Sequence, residues 1–177
     1  MKKNIKNILK NILLFSLCAI MSVSLFAFTA CADAENEKSD HECEISIECK
    51  TILDNMDKFD KDKLEVLPDD GIILKKCTVG FNEDETVYDV LCRVTKENKI
   101  HLETTNTPVY NCAYIEGINN IYEFDCGEAS GWMYSVNGVY PNYGCSAYKL
   151  KDGDCIELRY TCDYGNDVGG GGISFGQ

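Results

Sequence analysis

Sulfur and phenol dominate the reactive side chains of this sequence. Among 177 residues there are eleven cysteines, ten tyrosines, one tryptophan and two histidines. Cys18 and Cys31 belong to the leading segment. The other nine are Cys43, Cys49, Cys77, Cys92, Cys112, Cys126, Cys145, Cys155 and Cys162. In an oxidising compartment such a set pairs into disulfides. No C-x-x-C spacing occurs, which leaves zinc-ribbon and thioredoxin chemistry without support. Nine is odd, so lipidation of Cys31 would leave at least one thiol free or paired with another chain. A cysteine nucleophile would need Cys92 or Cys112 beside His101, since His41 lies in a charged leader. The chain carries no Ser-His-Asp signature, no H-E-x-x-H and no phosphate loop, and the expectation is a protein that is not an enzyme. The aspartate run from Asp54 to Asp70 lacks EF-hand spacing and reads as a solvated loop or short helix.

All ten tyrosines lie between Tyr88 and Tyr164. The stretch Gly131–Thr161 (GWMYSVNGVYPNYGCSAYKLKDGDCIELRYT) adds Trp132 and an Asn137-Gly138 turn. A lone tryptophan in a small β-rich domain belongs in the core. Tyr140 and Tyr143 fall in a loop, and an exposed aromatic loop suits a flat or sugar-like partner.

Alternating and helical periodicities place these groups. Cys43, Ile45, Ile47 and Cys49 share one face of a strand with period two. A second strand spans Ile72–Phe81, with Ile73, Cys77, Val79 and Phe81 on one side. Val87, Val90, Leu91 and Val94 form the apolar stripe of a helix over Glu85–Lys99, with Asp84 as its expected N-cap and Cys92 off the stripe. Cys92 is thus the first candidate for the odd thiol, alongside a disulfide to an outer loop. Strands then follow: His101–Thr105, Ala113–Glu116, Ile121–Phe124, Trp132–Val136 and Cys155–Cys162. They are separated by turns at Gly117–Asn120, Asn137-Gly138 and Lys151–Asp154. One helix on a mixed sheet is an α+β plan, and the right-handed crossover rule favours a β-grasp. The first two strands form a hairpin, the helix crosses one face, and the last strand lies parallel to the first. That plan predicts a Cys49–Cys162 disulfide; Cys126 and Cys145 flank the tryptophan hairpin and are the candidates for a second, stapling its loop.

The ends are different in kind. Residues 1–30 read as an export signal, with Lys2, Lys3, Lys6 and Lys10 before an apolar run from about Ile12 to Phe28. Phe28-Thr29-Ala30-Cys31 approaches a lipobox, which favours lipidation at Cys31 over A-x-A cleavage before Asp33 or a retained membrane anchor. Loss of the signal removes four lysines and no acids, taking the formal charge from −12 to −16. So acidic a surface repels nucleic acid and anionic lipid. Residues 31–42 read as an acidic tether, 43–164 as the domain, and 165–177 as a disordered Gly-rich tail. The expected location is outside the cell membrane, as a surface lipoprotein or a secreted protein.

From Glu85 to Thr161 the sequence resembles the C-terminal β-domain of the transcobalamin and intrinsic factor family. The matching pieces, in order, are TVYDVL (Thr86–Leu91), LETTNT (Leu102–Thr107), GINNI (Gly117–Ile121), Trp132 with Asn137-Gly138, Pro141-Asn142, Gly144, Tyr148 and KDGDCIELRY (Lys151–Tyr160). In that family the β-domain closes over cobalamin against a helical barrel, of which this sequence has no counterpart. The resemblance implies Ile115, Tyr134 and Asn142 as ligand contacts, with Trp132 and Tyr143 nearby, and the aromatic loop adds Tyr140. It implies a corrinoid ligand, no required cofactor, no metal ligand from the protein, and a second chain to complete the site. A structural or adhesive module that recognises a protein or glycan is the alternative.

Overall fold

The computed structural model describes residues 39–107 and 112–171. The expected export signal, Cys31, most of the expected tether and residues 172–177 of the expected tail lie outside the described residues. The described residues fall in one compact unit. The elements are β1 (His41–Glu48), α1 (Lys50–Leu53), β2 (Ile72–Phe81), α2 (Val87–Glu97), β3 (Leu102–Thr107), β4 (Cys112–Ile118), β5 (Ile121–Tyr122), β6 (Gly131–Val136) and β7 (Cys155–Thr161). The fold is α+β, as the periodicities imply.

A four-stranded sheet has the order β2-β1-β7-β6. β1 and β2 pair antiparallel, β1 and β7 parallel, β6 and β7 antiparallel. This is the arrangement expected of the first two strands and the last. The middle strands depart from the expected single sheet, since β3, β4 and β5 form a separate three-stranded sheet. The two paired asparagines explain the tight return between β4 and β5. Asn119 and Asn120 take φ of 55° and 60°, the left-handed turn conformation that asparagine tolerates.

The alternation on β1 holds, with Cys43, Ile45, Ile47 and Cys49 all at most 1% exposed. The α2 stripe of Val87, Val90, Leu91 and Val94 joins the same cluster, together with Ile156 and Leu158 of β7. Full burial of each such side chain contributes roughly 1.5–3 kcal/mol. The start of α2 differs from expectation. Its N-cap is Thr86, which forms a capping box with Asp89; both the Thr86 side chain and the Thr86 backbone N–H are satisfied. Asp84 lies before the helix at φ 71° and pairs with Lys149.

Both ends of the domain extend past the expected limits. β1 begins at His41, inside the expected tether. Residues 165–171 are not a loose tail: Asn166–Val168 form a short 3-10 turn, and Asp167 accepts from the Cys162 N–H at 2.7 Å.

Candidate functional site

Strand β6 decides where the aromatic groups point. Trp132, Tyr134 and Val136 share the face toward the main core, while Met133 and Ser135 share the other. Trp132 is 8% exposed, its indole N–H donates to the Ile121 carbonyl at 2.8 Å, and its ring meets Tyr160 edge-on at 5.3 Å. It is a core residue with its one polar atom satisfied, as composition implied. Ile115 is likewise buried against the core.

Tyr134 is half-buried. Its hydroxyl donates to the Tyr143 carbonyl at 2.7 Å, which pulls the loop after β6 onto the sheet. Burial raises the Tyr134 phenol well above its ordinary range, so it stays a neutral donor. Three further clamps hold that loop. The Ala113 N–H of β4 donates to Ser146 Oγ at 2.8 Å. The Tyr148 carbonyl accepts from the Val87 N–H at 3.0 Å, tying the loop to the start of α2. Gly144 sits against Cys112 so closely that an added Cβ would stand 2.5 Å from the Cys112 Cβ. Only glycine admits that approach. On this support the Tyr143 ring stacks on Tyr148, with centroids 6.2 Å apart and planes 17° apart. Tyr143 remains 49% exposed and Asn142 beside it is exposed. The outcome is a clamped aromatic shelf with an exposed asparagine next to it in the chain.

Tyr140 is elsewhere. Its hydroxyl donates to the Val168 carbonyl at 2.7 Å, and Arg159 Nη1 donates to the same oxygen at 3.0 Å. Gly170 packs on the Tyr140 ring and on Met133. The tail therefore covers Tyr140 on the outer face of β6. Of the six expected contacts, the structure brings together Tyr134, Asn142 and Tyr143. It adds Tyr148, to which sequence reasoning gave no role although its spacing from Tyr143 brackets the short Cys145–Ala147 turn.

The thiols around the shelf are not poised for chemistry. Cys145 is buried beneath the loop, its Sγ 3.9 Å from the Ala113 carbonyl, and burial pushes its pKa up to about 12. Burial also raises Cys92. His101 is not beside Cys112. β3 and β4 are antiparallel, with Leu102 opposite Ile118 and Thr107 opposite Cys112, so His101 and Cys112 sit at opposite ends of the pair, roughly 20 Å apart by strand rise. His101 instead lies 3.5 Å from the Tyr122 hydroxyl and 3.9 Å from Glu103, with a buried Nδ1 that has no partner. Among the described residues, no group of three or more His, Cys, Asp or Glu could hold a metal ion.

All nine described cysteines are free thiols, so neither expected disulfide is formed. Register explains the first. Glu48 pairs with Arg159, which puts Cys49 level with Tyr160, and the chain then turns into α1. Thr51 therefore meets Cys162, at 3.7 Å, rather than Cys49. For the second, Cys145 lies against the Ala113 carbonyl of β4, whereas Cys126 lies against the Asn55 carbonyl.

No curated protein matches this chain. Among solved structures, it is similar to haptocorrin in complex with Cbi, at 14% identity and a TM-score of 0.48, covering 68% of this chain. The chain spans only 25% of the length of that haptocorrin chain. It is also similar to a candidate metal-binding protein from Ruminococcus gnavus ATCC 29149, at 15% identity and a TM-score of 0.39, covering 69% of this chain and 97% of the other. Residues 84–162, which hold α2, the shelf and β7, match the family model described as a domain of unknown function, DUF4430.

Proposed function

We propose that this protein is an exported, non-catalytic binding domain, tethered through a lipid on Cys31, whose Tyr143–Tyr148 shelf takes a flat ligand. The observation that supports this is a half-exposed tyrosine ring on a loop clamped from four sides. A surface ring held this firmly loses little conformational entropy when something stacks on it. Asn142 supplies both a donor and an acceptor at the shelf edge. An apolar macrocycle edged with amides fits that chemistry, and the sequence resemblance of Glu85–Thr161 makes a corrinoid the ligand to test first. One shelf buries one side of such a ligand, so the affinity of the single chain is modest and a second chain completes the site.

Calorimetric titration of the full chain with cobinamide and with cobalamin tests this reading. Saturable heat that the Tyr143→Ala variant weakens about tenfold is the expected result. No heat at millimolar ligand removes the corrinoid. Glycan binding that depends on Tyr143, with no corrinoid heat, moves the ligand to the sugar class.

A further inference from the structure

The pair of thiols at the foot of β7 has no part in the shelf. Cys126 lies in the turn between β5 and β6, where its N–H donates to Ser130 Oγ at 3.1 Å and its Sγ stands 3.5 Å from the Asn55 carbonyl. Cys162 follows β7, its Sγ 3.7 Å from Thr51 Oγ1. Thr51 and Asn55 are one helical turn apart and are themselves joined, Asn55 Nδ2 donating to the Thr51 carbonyl at 2.9 Å. Both sulfurs thus press on the same turn of chain from the same side. Each thiol is also close enough to act on the other's titration.

The strands make this meeting unavoidable. Gly131 pairs with Thr161, so Ser130 stands level with Cys162 at the end of the ladder. The Tyr160 hydroxyl reaches both the Tyr122 carbonyl at 2.7 Å and Ser130 Oγ at 2.9 Å, locking the turn that carries Cys126 onto β7. Exposure is 1% for Cys126 and 5% for Cys162.

We propose that Cys126 and Cys162, both free thiols in this structure, are the redox partners of this domain and form a disulfide when an oxidant is supplied as the chain folds. Each thiol gives up its proton. The two sulfurs bond, and the two electrons reduce the S–S bond of an external disulfide, such as oxidised glutathione or a dithiol oxidase, to two thiols. The timing follows from burial. In the finished fold the thiolate that must attack is scarce and shielded, because burial raises both thiols and carries Cys162 to about 12. The bond therefore forms before the turn closes, and once buried it resists reduction.

The test is to refold the reduced full chain in a glutathione redox buffer, alkylate it, and map it without reduction. The outcome does not depend on export or on any ligand. Trypsin with a glutamyl endopeptidase yields Phe124–Glu128, with Cys126 as its one cysteine, and Tyr160–Gln177, with Cys162 as its one cysteine. A covalent link between those two peptides is expected. Recovery of both as alkylated thiols, or of Cys162 linked to Cys49, overturns the proposal. A bond closing a loop of about 36 residues should raise the melting temperature of the oxidised chain by about 10–15 °C over the reduced chain. The Cys126→Ser/Cys162→Ser double variant should lose that difference. Its full retention in the double variant also overturns the proposal.

Discussion

Tyr134 and Tyr140 are both half-buried, both raised by burial, and both donate a hydroxyl hydrogen bond of 2.7 Å to a backbone carbonyl. They nevertheless serve opposite faces of β6. Tyr134 holds the Tyr143 loop in place from beneath and leaves the Tyr143 ring uncovered. Tyr140 holds the Gly-rich tail down beside itself and so leaves its own ring only partly exposed. A tyrosine in a loop thus says little about binding until the recipient of its hydroxyl is known. One hydrogen bond presents a surface and the other closes one.

This contrast can be broken most forcefully at its buried foundation. Trp132→Ala should lower the unfolding free energy by about 3–5 kcal/mol, read by urea titration. A loss under about 1 kcal/mol would mean that Trp132 lies at the surface with the ligand contacts. Next in size is the closed face. An added Cβ at Gly170 would come 2.9 Å from Met133 Cε and 3.0 Å from Tyr140 Cγ, and the Tyr140 ring is tethered by its hydroxyl to the Val168 carbonyl. Gly170→Ala should therefore cost about 1–3 kcal/mol and release the tail, seen as faster amide exchange in residues 165–171, while leaving the shelf unchanged. On the open face, Tyr143→Ala should alter stability by no more than about 0.5 kcal/mol, in keeping with a surface substitution. A large loss there would show that the stack with Tyr148 supports the fold rather than a ligand.

The smallest effect concerns acid. Burial alone would raise the Glu48 carboxyl, but hydrogen bonds from Lys50 and Arg159 outweigh it and hold the pKa below 4.5. A carboxyl depressed in the folded state stabilises the protein above its unfolded pKa, and that contribution fades as pH falls through the folded value. Stability should therefore drop below about pH 4.5, and Glu48→Gln should flatten that part of the profile. Since Arg159 also grips Val168, amide exchange of the tail should follow the same profile.

Much of the fold was legible because its cues are local. Period two in CEISIEC and the Val87–Val94 stripe fix β1 and α2 without reference to anything distant. The N-cap was misassigned because Thr86 is completed by Asp89 rather than by the Glu or Gln of the usual box. The tail was misread because a glycine run signals flexibility, whereas its partners Tyr140, Arg159 and Thr161 come from β7 and the loop before it. Tyr140 followed from the same gap. After Asn137-Gly138 the hairpin makes a single bridge, Val136 to Val139, and the chain then leaves the sheet, so alternation no longer says which face comes next. Cysteine pairing needed the register of β1 on β7, a long-range quantity that spacing does not carry.

The turn that ends β6 has a bearing on how the protein ages. Asn-Gly is the dipeptide most prone to deamidation, because the glycine nitrogen readily attacks the asparagine carboxamide. Here Asn137 Nδ2 donates to Asp154 at 2.8 Å, and Asn137 Oδ1 accepts from the Cys155 N–H at 2.9 Å. A carboxamide held at both ends is not free to swing onto Gly138. Should it hydrolyse, the donor facing Asp154 becomes a second carboxylate, and like charges at that separation repel. The same clamp that sets β6 against β7 thus preserves the chain chemically, and its first failure would open the sheet at that corner.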